Sequence, residues 1–120
     1  MVRVNKSMNS QLEKSIQQLK ESIEASIDQF LPLSDYRPNN LHSSMRYSLC
    51  DGGKRVRGIL VLLCSKIFTA SANPLPAAVA IECIHAYSLI HDDLPSIDNS
   101  DIRRNKASNH IAYNEATAIL

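Results

Sequence analysis

Residues 84–98 read IHAYSLIHDDLPSID, an apolar helical pattern that ends in three aspartates. The alanine-rich run before it, with Pro76 suited to a first helical turn, predicts a largely buried helix over 77–91. Pro95 is expected to disturb that helix just beyond its end. Carboxylates at the end of an apolar helix are unfavourable unless a cation or a basic partner compensates them, so this pattern requires a charge partner.

The acidic cluster consists of Asp92, Asp93 and Asp98. Mg²⁺ prefers oxygen ligands and keeps several waters, so a few carboxylates together with diphosphate oxygens complete its coordination shell. The spacing is therefore compatible with a magnesium-diphosphate site. A solvated acidic turn at a helix end is the other interpretation, and it is the commoner one for a lone pair of aspartates.

Two basic clusters accompany these acids. Residues 54–57 read KRVR directly after a pair of glycines, and Arg103 and Arg104 follow the acidic cluster. Lysine and arginine donate hydrogen bonds to diphosphate oxygens, and arginine does so bidentately. A solvated basic face accounts equally for either cluster taken alone.

His85 is a further candidate for anion binding. It lies seven residues before Asp92, which places the two side chains on one helix face about 10 Å apart. A lone histidine on an apolar helix is either a hydrogen-bonded core residue or, on this face, a donor to a second anion. Both interpretations stay open on the residues alone.

The remaining apolar patterns predict helices and no strands. An amphipathic stripe covers 10–31, with Ser10 and Glu13 as a capping box and Pro32 as its end. Glycines at 52 and 53 favour positive φ and break the chain there. Further helices are predicted over about 40–50, 54–70 and 111–120, with a loop over 71–76. The sequence therefore predicts an all-α fold of about five helices.

The composition limits the function classes. The chain has 120 residues and a formal net charge of +1, which disfavours a general nucleic-acid binder. No apolar run approaches the roughly 20 residues of a membrane span, and residues 1–10 have no secretory core, so a cytoplasmic location is expected. The three cysteines have no metal-ligand spacing, which favours buried free thiols over a disulfide framework or a zinc site.

Taken together, residues 52–57 (GGKRVR), 84–95 (IHAYSLIHDDLP) and 98–104 (DNSDIRR) closely resemble the trans-isoprenyl diphosphate synthases, in order as well as in spacing. The resemblance implies the N-terminal helices of the isoprenoid synthase helical bundle, as the first part of a single all-α polyprenyl synthase domain. It also implies that an allylic diphosphate ionises with Mg²⁺ as cofactor. The double bond of isopentenyl diphosphate then attacks the carbocation.

The resemblance implies a role for each matching residue. Asp92 and Asp98 match magnesium ligands, and Asp93 lies inside the same catalytic motif. Arg103 matches a position that contacts the allylic diphosphate. The positions that bind isopentenyl diphosphate correspond to Lys54, Arg57, His85 and Arg104.

Tyr87 lies five residues before Asp92, where the family measures the length of its product. An aromatic ring there closes the floor of the cavity and stops elongation, as in the bacterial farnesyl diphosphate synthases, also called geranyltranstransferases. Core packing is the alternative role for Tyr87. A synthase of another chain length, such as geranylgeranyl, also stays open.

The chain departs from the family in two ways. Family members are more than twice as long and carry a second aspartate-rich motif, so the 120 residues alone are expected to be inactive and the full-length protein a homodimer. Four positions also differ, which puts the turn carrying the second basic pair in doubt. Glycine replaces the usual proline at Gly58, and the usual glycine, proline and glycine are replaced by Asn105, Ala107 and Asn114.

Two other function classes remain. A truncated, noncatalytic helical partner of a complete synthase is consistent with the short length and the replaced residues. A terpene cyclase shares the all-α fold and an aspartate-rich motif, but it needs no isopentenyl diphosphate site. The group formed by Lys54, Arg57 and His85 therefore disfavours the cyclase.

Overall fold

The computed structural model describes residues 6–68 and 72–120. In chain order its elements are α1 (Lys6–Phe30), α2 (Asn39–Leu49), α3 (Val56–Ser65), α4 (Leu75–Asp92), β1 (Ile102–Arg103), β2 (Lys106–Ala107), α5 (Asn109–Ala112) and α6 (Glu115–Ile119). The all-α class is confirmed. The described residues contain one helix more than predicted and a short hairpin that the sequence pattern did not predict.

The core lies where α1, α3 and α4 pack together, with the end of α2 against them. Ile23 and Ile27 of α1 are fully buried there, whereas Leu12 and Ile16 stay exposed. The amphipathic stripe is therefore confirmed as a buried face only in the second half of α1. This half positions α3 and α4, which carry most of the candidate site.

The predicted start of α1 is wrong and its predicted end is confirmed. The helix begins at Lys6, so Ser10 and Glu13 lie inside it and form no capping box. Nothing in the residues just before Ser10 breaks a helix, and extending an existing helix is favourable once its first turn has formed. At the other end, α1 stops at Phe30, two residues before Pro32.

A left-handed stretch separates α2 from α3. Gly52 and Gly53 have φ of +75° and +118°, as the glycine pair predicted, and Arg55 follows with φ of +50°. A right-handed helix cannot include such residues, so α3 begins at Val56 and not at residue 54. It ends at Ser65, short of the predicted 70, and residues 69–71 lie outside the described part of the chain.

The helix α4 agrees with its predicted bounds but not with its predicted burial. Pro76 lies in its first turn and Asp92 is its last residue. Only one face packs against α1 and α3, so Ile84 and Tyr87 on other faces are 58% and 56% exposed. The expectation of a largely buried helix is therefore wrong for the described residues.

The segment after the aspartates forms an antiparallel hairpin, so the prediction of no strands is wrong. Ile102 pairs with Ala107, and Arg103 pairs with Lys106. The two residues between the strands, Arg104 and Asn105, have φ of +52° and +64°. Two consecutive left-handed residues are typical of the tight turns that suit the twist of a hairpin. The strands are too short to produce an alternating sequence pattern.

The C-terminal pattern forms two short helices and not the single helix predicted over 111–120. The chain is extended at Asn114, whose side chain accepts a hydrogen bond of 2.8 Å from the backbone N–H of Thr117 and so caps α6. Asn109 fixes α5 to α2, because its side-chain amide donates to the Ser44 carbonyl and to Ser48 Oγ.

The cysteines are free, but they are not buried as predicted: Cys50 and Cys64 are exposed and Cys83 is half-buried. They lie at a helix end or beside uncovered helix faces, where a small thiol is not enclosed. Separately, no helix in residues 6–68 and 72–120 combines the length and the apolar character that crossing a membrane requires.

Candidate functional site

The end of α4 and the turn after it bring the acidic residues together. Asp92 closes α4, and its carbonyl accepts a hydrogen bond of 2.9 Å from the backbone N–H of Asp98. Ser100 N–H donates to the Asp93 carbonyl in the same way, at 3.1 Å. The chain therefore folds back on the helix end, and Asp92 and Asp98 are both exposed there.

These two carboxylates fit a metal site that a ligand completes. Within the described ranges, no ion pair involves Asp92 or Asp98, and no group of three histidine, cysteine, aspartate or glutamate side chains is arranged to hold a metal. Mg²⁺ keeps waters and readily takes diphosphate oxygens, so two hard oxygen donors at an open turn suit it. The donor set is consistent with Asp92 and Asp98 as partial ligands.

Asp93 is buried, unlike Asp92 and Asp98, the other two residues of the acidic cluster. It is 1% exposed, and its carboxylate accepts two hydrogen bonds from Arg103, of 2.6 Å to Nε and 2.7 Å to Nη2. This hydrogen bonding to Asp93 raises the pKa of Arg103. The structure thus pairs the buried Asp93 carboxylate with the partly exposed Arg103 guanidinium, which ties the hairpin to the end of α4.

The four residues predicted to bind isopentenyl diphosphate line one cavity of about 420 Å³. They come from three places in the chain: the α2–α3 loop and the start of α3, the middle of α4, and the hairpin turn. Glu82 and the backbone of the glycine loop complete its wall. The cationic residues and the histidine in this wall are Lys54, Arg55, Arg57, His85 and Arg104, of which Arg55 is buried.

The glycine loop and the hairpin turn are held together on one side of this cavity. Arg104 Nη1 donates a hydrogen bond of 2.8 Å to the Gly52 carbonyl. Gly53 has φ of +118°, which favours glycine, and a Cβ there would lie 3.1 Å from Arg104 Nη2, so the guanidinium would have to shift by a few tenths of an ångström. The turn that carries the second basic pair is therefore well formed in spite of the replaced glycine at Asn105.

His85 titrates in a basic environment. Its partial burial lowers its pKa below the ordinary value, and the nearby Arg57, Arg104 and Arg103 lower it further, while Glu82 opposes them. His85 is therefore mainly neutral at pH 7 and can donate one hydrogen bond. A neutral donor beside arginines suits a diphosphate without adding to the repulsion among the cations.

Tyr87 lies at an apolar cavity of about 240 Å³, bordered by α2, α4 and α6. Its ring is 56% exposed and meets the ring of His91 edge to face, with 4.5 Å between the centroids. The interpretation of Tyr87 as a core residue is therefore not supported in the described part of the chain. Its position next to an apolar cavity keeps its predicted role in setting product length open.

Sequence reasoning missed Glu82 and Lys106 around the site, and it grouped Arg55 with the diphosphate donors of the first basic cluster although its side chain is buried. Arg55 is 3% exposed and pairs with Glu24 of α1, and Glu82 is 4% exposed. Lys106 donates to the Tyr47 carbonyl at 2.6 Å and pairs with Asp51 at 2.8 Å. Only Glu82 carried a signal, because a lone carboxylate inside an apolar helix needs a buried partner.

Comparisons with known proteins agree with this geometry. Residues 38–120 match the family model described as polyprenyl synthetase. A farnesyl diphosphate synthase of Micrococcus luteus is 50% identical over 91 residues, which are 73% of this chain and 31% of that protein. The chloroplastic heterodimeric geranylgeranyl pyrophosphate synthase large subunit 1 of Arabidopsis thaliana is 45% identical over 101 residues, 83% of this chain and 27% of that protein.

A solved structure is similar over almost the whole chain. The FPP/GFPP synthase of Zymomonas mobilis superposes with a TM-score of 0.83 at 38% identity, over 92% of this chain and 40% of that one. The likeness confirms that these helices are helices of the isoprenoid synthase bundle. The chain spans between 27% and 40% of the length of these three relatives. Because the family match covers every segment of the candidate site, the chain belongs to the polyprenyl synthetase family.

Proposed function

We propose that this chain supplies the first magnesium-diphosphate motif and the isopentenyl diphosphate site of a prenyltransferase that makes farnesyl diphosphate from dimethylallyl or geranyl diphosphate. The observation that carries the proposal is the single cavity lined by Lys54, Arg57, His85 and Arg104. The activity belongs to a whole synthase domain, of which these residues are the N-terminal part. A homodimer of the full-length protein and a cytoplasmic location belong to the same proposal.

In the proposed reaction, the C–O bond of the allylic diphosphate breaks and diphosphate leaves. The allylic carbon bonds to the double bond of isopentenyl diphosphate, and loss of a proton restores a double bond in the product. When bound by Asp92 and Asp98, Mg²⁺ supplies Lewis-acid stabilisation of the departing diphosphate. The exposure of both carboxylates at one turn supports this assignment.

The ion pair between Asp93 and Arg103 complements that site. Arg103 uses Nε and Nη2 to hold Asp93, while its side chain stays 36% exposed. Its remaining N–H groups are free to donate to an allylic diphosphate. Asp93 then acts in the catalytic motif by orienting Arg103, and a guanidinium fixed on one edge loses less entropy when it binds an anion.

The basic cavity binds the second diphosphate. Lys54, Arg57 and Arg104 provide charge-assisted hydrogen bonds, and neutral His85 adds a further donor. Arg104 is already oriented by its bond to the Gly52 carbonyl. The two substrates are thereby held on separate sets of side chains, with their diphosphates apart and their carbon chains free to meet.

Calorimetric titration of the chain with isopentenyl diphosphate tests this assignment. Arg57→Gln is expected to weaken binding by roughly tenfold or more, because a hydrogen bond to a charged group contributes about 1.5–3 kcal/mol. Arg37→Gln, at an exposed arginine of the α1–α2 loop outside the cavity, serves as the matched control and should bind normally. Equal losses in both variants, or no binding by the unaltered chain, would contradict the proposal.

Product length rests on Tyr87 in this proposal. In the whole synthase, Tyr87→Ala should shift the products toward longer chains, because removing the ring extends the apolar cavity. Ile84→Ala removes a similarly exposed apolar side chain of α4 that does not line this cavity, so its products should not change. An unchanged product from Tyr87→Ala would favour a synthase whose length is set elsewhere, such as a geranylgeranyl synthase.

A second candidate is a noncatalytic helical partner of a complete synthase. Exposed apolar side chains on α3 and α4, including Leu60, Leu63 and Ile84, favour contact with further helices. Stable co-purification with a complete synthase whose rate it changes would favour this candidate. Magnesium-dependent turnover by a protein in which this chain continues would instead favour the enzyme.

A further inference from the structure

Glu82 lies in the wall of the basic cavity, one helical turn before His85 on α4. It is 4% exposed, and its Oε1 accepts a hydrogen bond of 2.8 Å from the backbone N–H of Gly58. That N–H belongs to the first turn of α3, where backbone donors have no partner within the helix. Arg55, the residue before α3, provides no side-chain cap. A side chain of α4 therefore satisfies a donor at the start of α3.

Arg55 extends this contact to the other helices. Its Nη1 lies 3.8 Å from Glu82 Oε2, while its Nε and Nη2 bond to the Glu24 carboxylate of α1 at 2.8 and 3.1 Å. Its Nη2 also donates to the Leu49 carbonyl at the end of α2. A buried network thus joins α1, α2, α3 and α4 at one point.

The network accounts for the different environments of Arg55 and the cations near it. Arg55 adopts left-handed backbone angles, which cost on the order of 1 kcal/mol or more in a residue other than glycine. Its side chain is buried and bonded within the bundle although it also borders the cavity, while Lys54 and Arg57 stay exposed in the same wall. The buried contacts of Arg55 compensate the strained backbone that produces this arrangement.

We infer that Glu82 is a positioning residue for the isopentenyl diphosphate site. Its carboxylate fixes the start of α3, which carries Arg57, against the turn of α4 that carries His85. The inference rests on the proposed function, because it concerns the ligand assigned to that cavity. Without the hydrogen bond between Glu82 and Gly58, Arg57 and His85 are expected to move apart, although both side chains are still present.

Two substitutions of similar size distinguish this role. Glu82→Met fills the same space but cannot accept the Gly58 hydrogen bond, and Glu82→Gln keeps an accepting oxygen. Glu82→Met is expected to bind isopentenyl diphosphate roughly tenfold more weakly, in line with the effect of residues that orient a binding group. Glu82→Gln should stay within about threefold of the unaltered chain. Mg²⁺ affinity, measured by the same titration, should change less than about twofold in both variants.

Glu82→Asp provides a second route if the methionine variant fails to fold by circular dichroism. It retains the charge but is one methylene too short to reach Gly58, so it too should weaken isopentenyl diphosphate binding. Normal binding by a folded Glu82→Met or Glu82→Asp overturns the inference, and so does a parallel loss of Mg²⁺ affinity. If the unaltered chain binds no isopentenyl diphosphate, the proposed function fails and the inference falls with it.

Discussion

Gly58 gives a physical reason for one departure from the family pattern. The residue lies where α3 meets α1 and α4, and its N–H donates to Glu82. Proline, usual at this position in the family, has no N–H to donate. In this chain, glycine at position 58 leaves room for the neighbouring helices and also provides the N–H that bonds to Glu82. The sequence identified the unusual residue but not its partner, because Glu82 is 24 positions away along the chain.

Gly58→Ala is therefore expected to destabilise the chain by about 1–3 kcal/mol, as overpacking of a core does. The added Cβ would lie 2.9 Å from Ile23 Cδ1 and 3.3 Å from the Ala78 carbonyl oxygen. The free energy of unfolding in urea measures the effect. Alanine normally stabilises a helix interior by about 0.5–1 kcal/mol relative to glycine, so an increase in stability would contradict the close packing.

His85 makes stability depend on pH with a definite sign. Burial and Arg57 depress its pKa in the folded chain, so between that value and about 6.5 the unfolded chain binds more protons. Stability should therefore fall as the pH decreases through this window. In His85→Gln, the decrease in stability that His85 causes at lower pH should disappear. Unfolding curves measured between about pH 5 and pH 7.5 would detect this. Parallel curves for the two proteins would refute this account of His85.

At the level of elements, the main helices were predictable and the connections were not. The bounds of α2 and α4 agree with their patterns to within about two residues, because apolar periodicity and Pro76 mark them. The hairpin was missed because strands of two residues show no alternation, and its turn depends on left-handed angles at Arg104 and Asn105. The break at Asn114 was missed because an N-cap asparagine inside a helical run is a weak signal.

The hairpin turn allows a direct test, because the same substitution is available at two asparagines. Asn105→Gly should stabilise the chain by about 0.5–1 kcal/mol, since glycine accepts the left-handed angle of +64° without strain. Asn114→Gly, at an extended N-cap, should instead lower stability by a few tenths of a kcal/mol. Thermal unfolding of both variants measures the contrast, and effects of the same sign would contradict the turn geometry described for Asn105.

At the level of the whole molecule, the fold collects residues that are distant in sequence. Arg57 and His85, 28 positions apart by their numbers, line one cavity with Arg104 of the hairpin. Helical periodicity cannot predict this, since it relates only neighbours on one helix. The joint motif pattern did predict the grouping, because a family resemblance carries three-dimensional information. The resemblance carried no such information about Arg55. Its left-handed backbone angles and its burial, which set it apart from Lys54 and Arg57, are evident only in the structure.

The arrangement of charges limits what these 120 residues do by themselves. Among the described residues, the acidic motif offers Asp92 and Asp98 without a third metal ligand, and the apolar cavity beside Tyr87 leaves that ring more than half exposed. Ionisation of an allylic diphosphate needs its leaving group fully neutralised and water excluded from the cation.

Purified with Mg²⁺, dimethylallyl diphosphate and isopentenyl diphosphate, the chain should therefore release negligible pyrophosphate while still binding isopentenyl diphosphate. A coupled pyrophosphate assay measures this release, with a farnesyl diphosphate synthase as positive control. Turnover at the rate of that complete synthase would show that the described carboxylates and cavity suffice for catalysis.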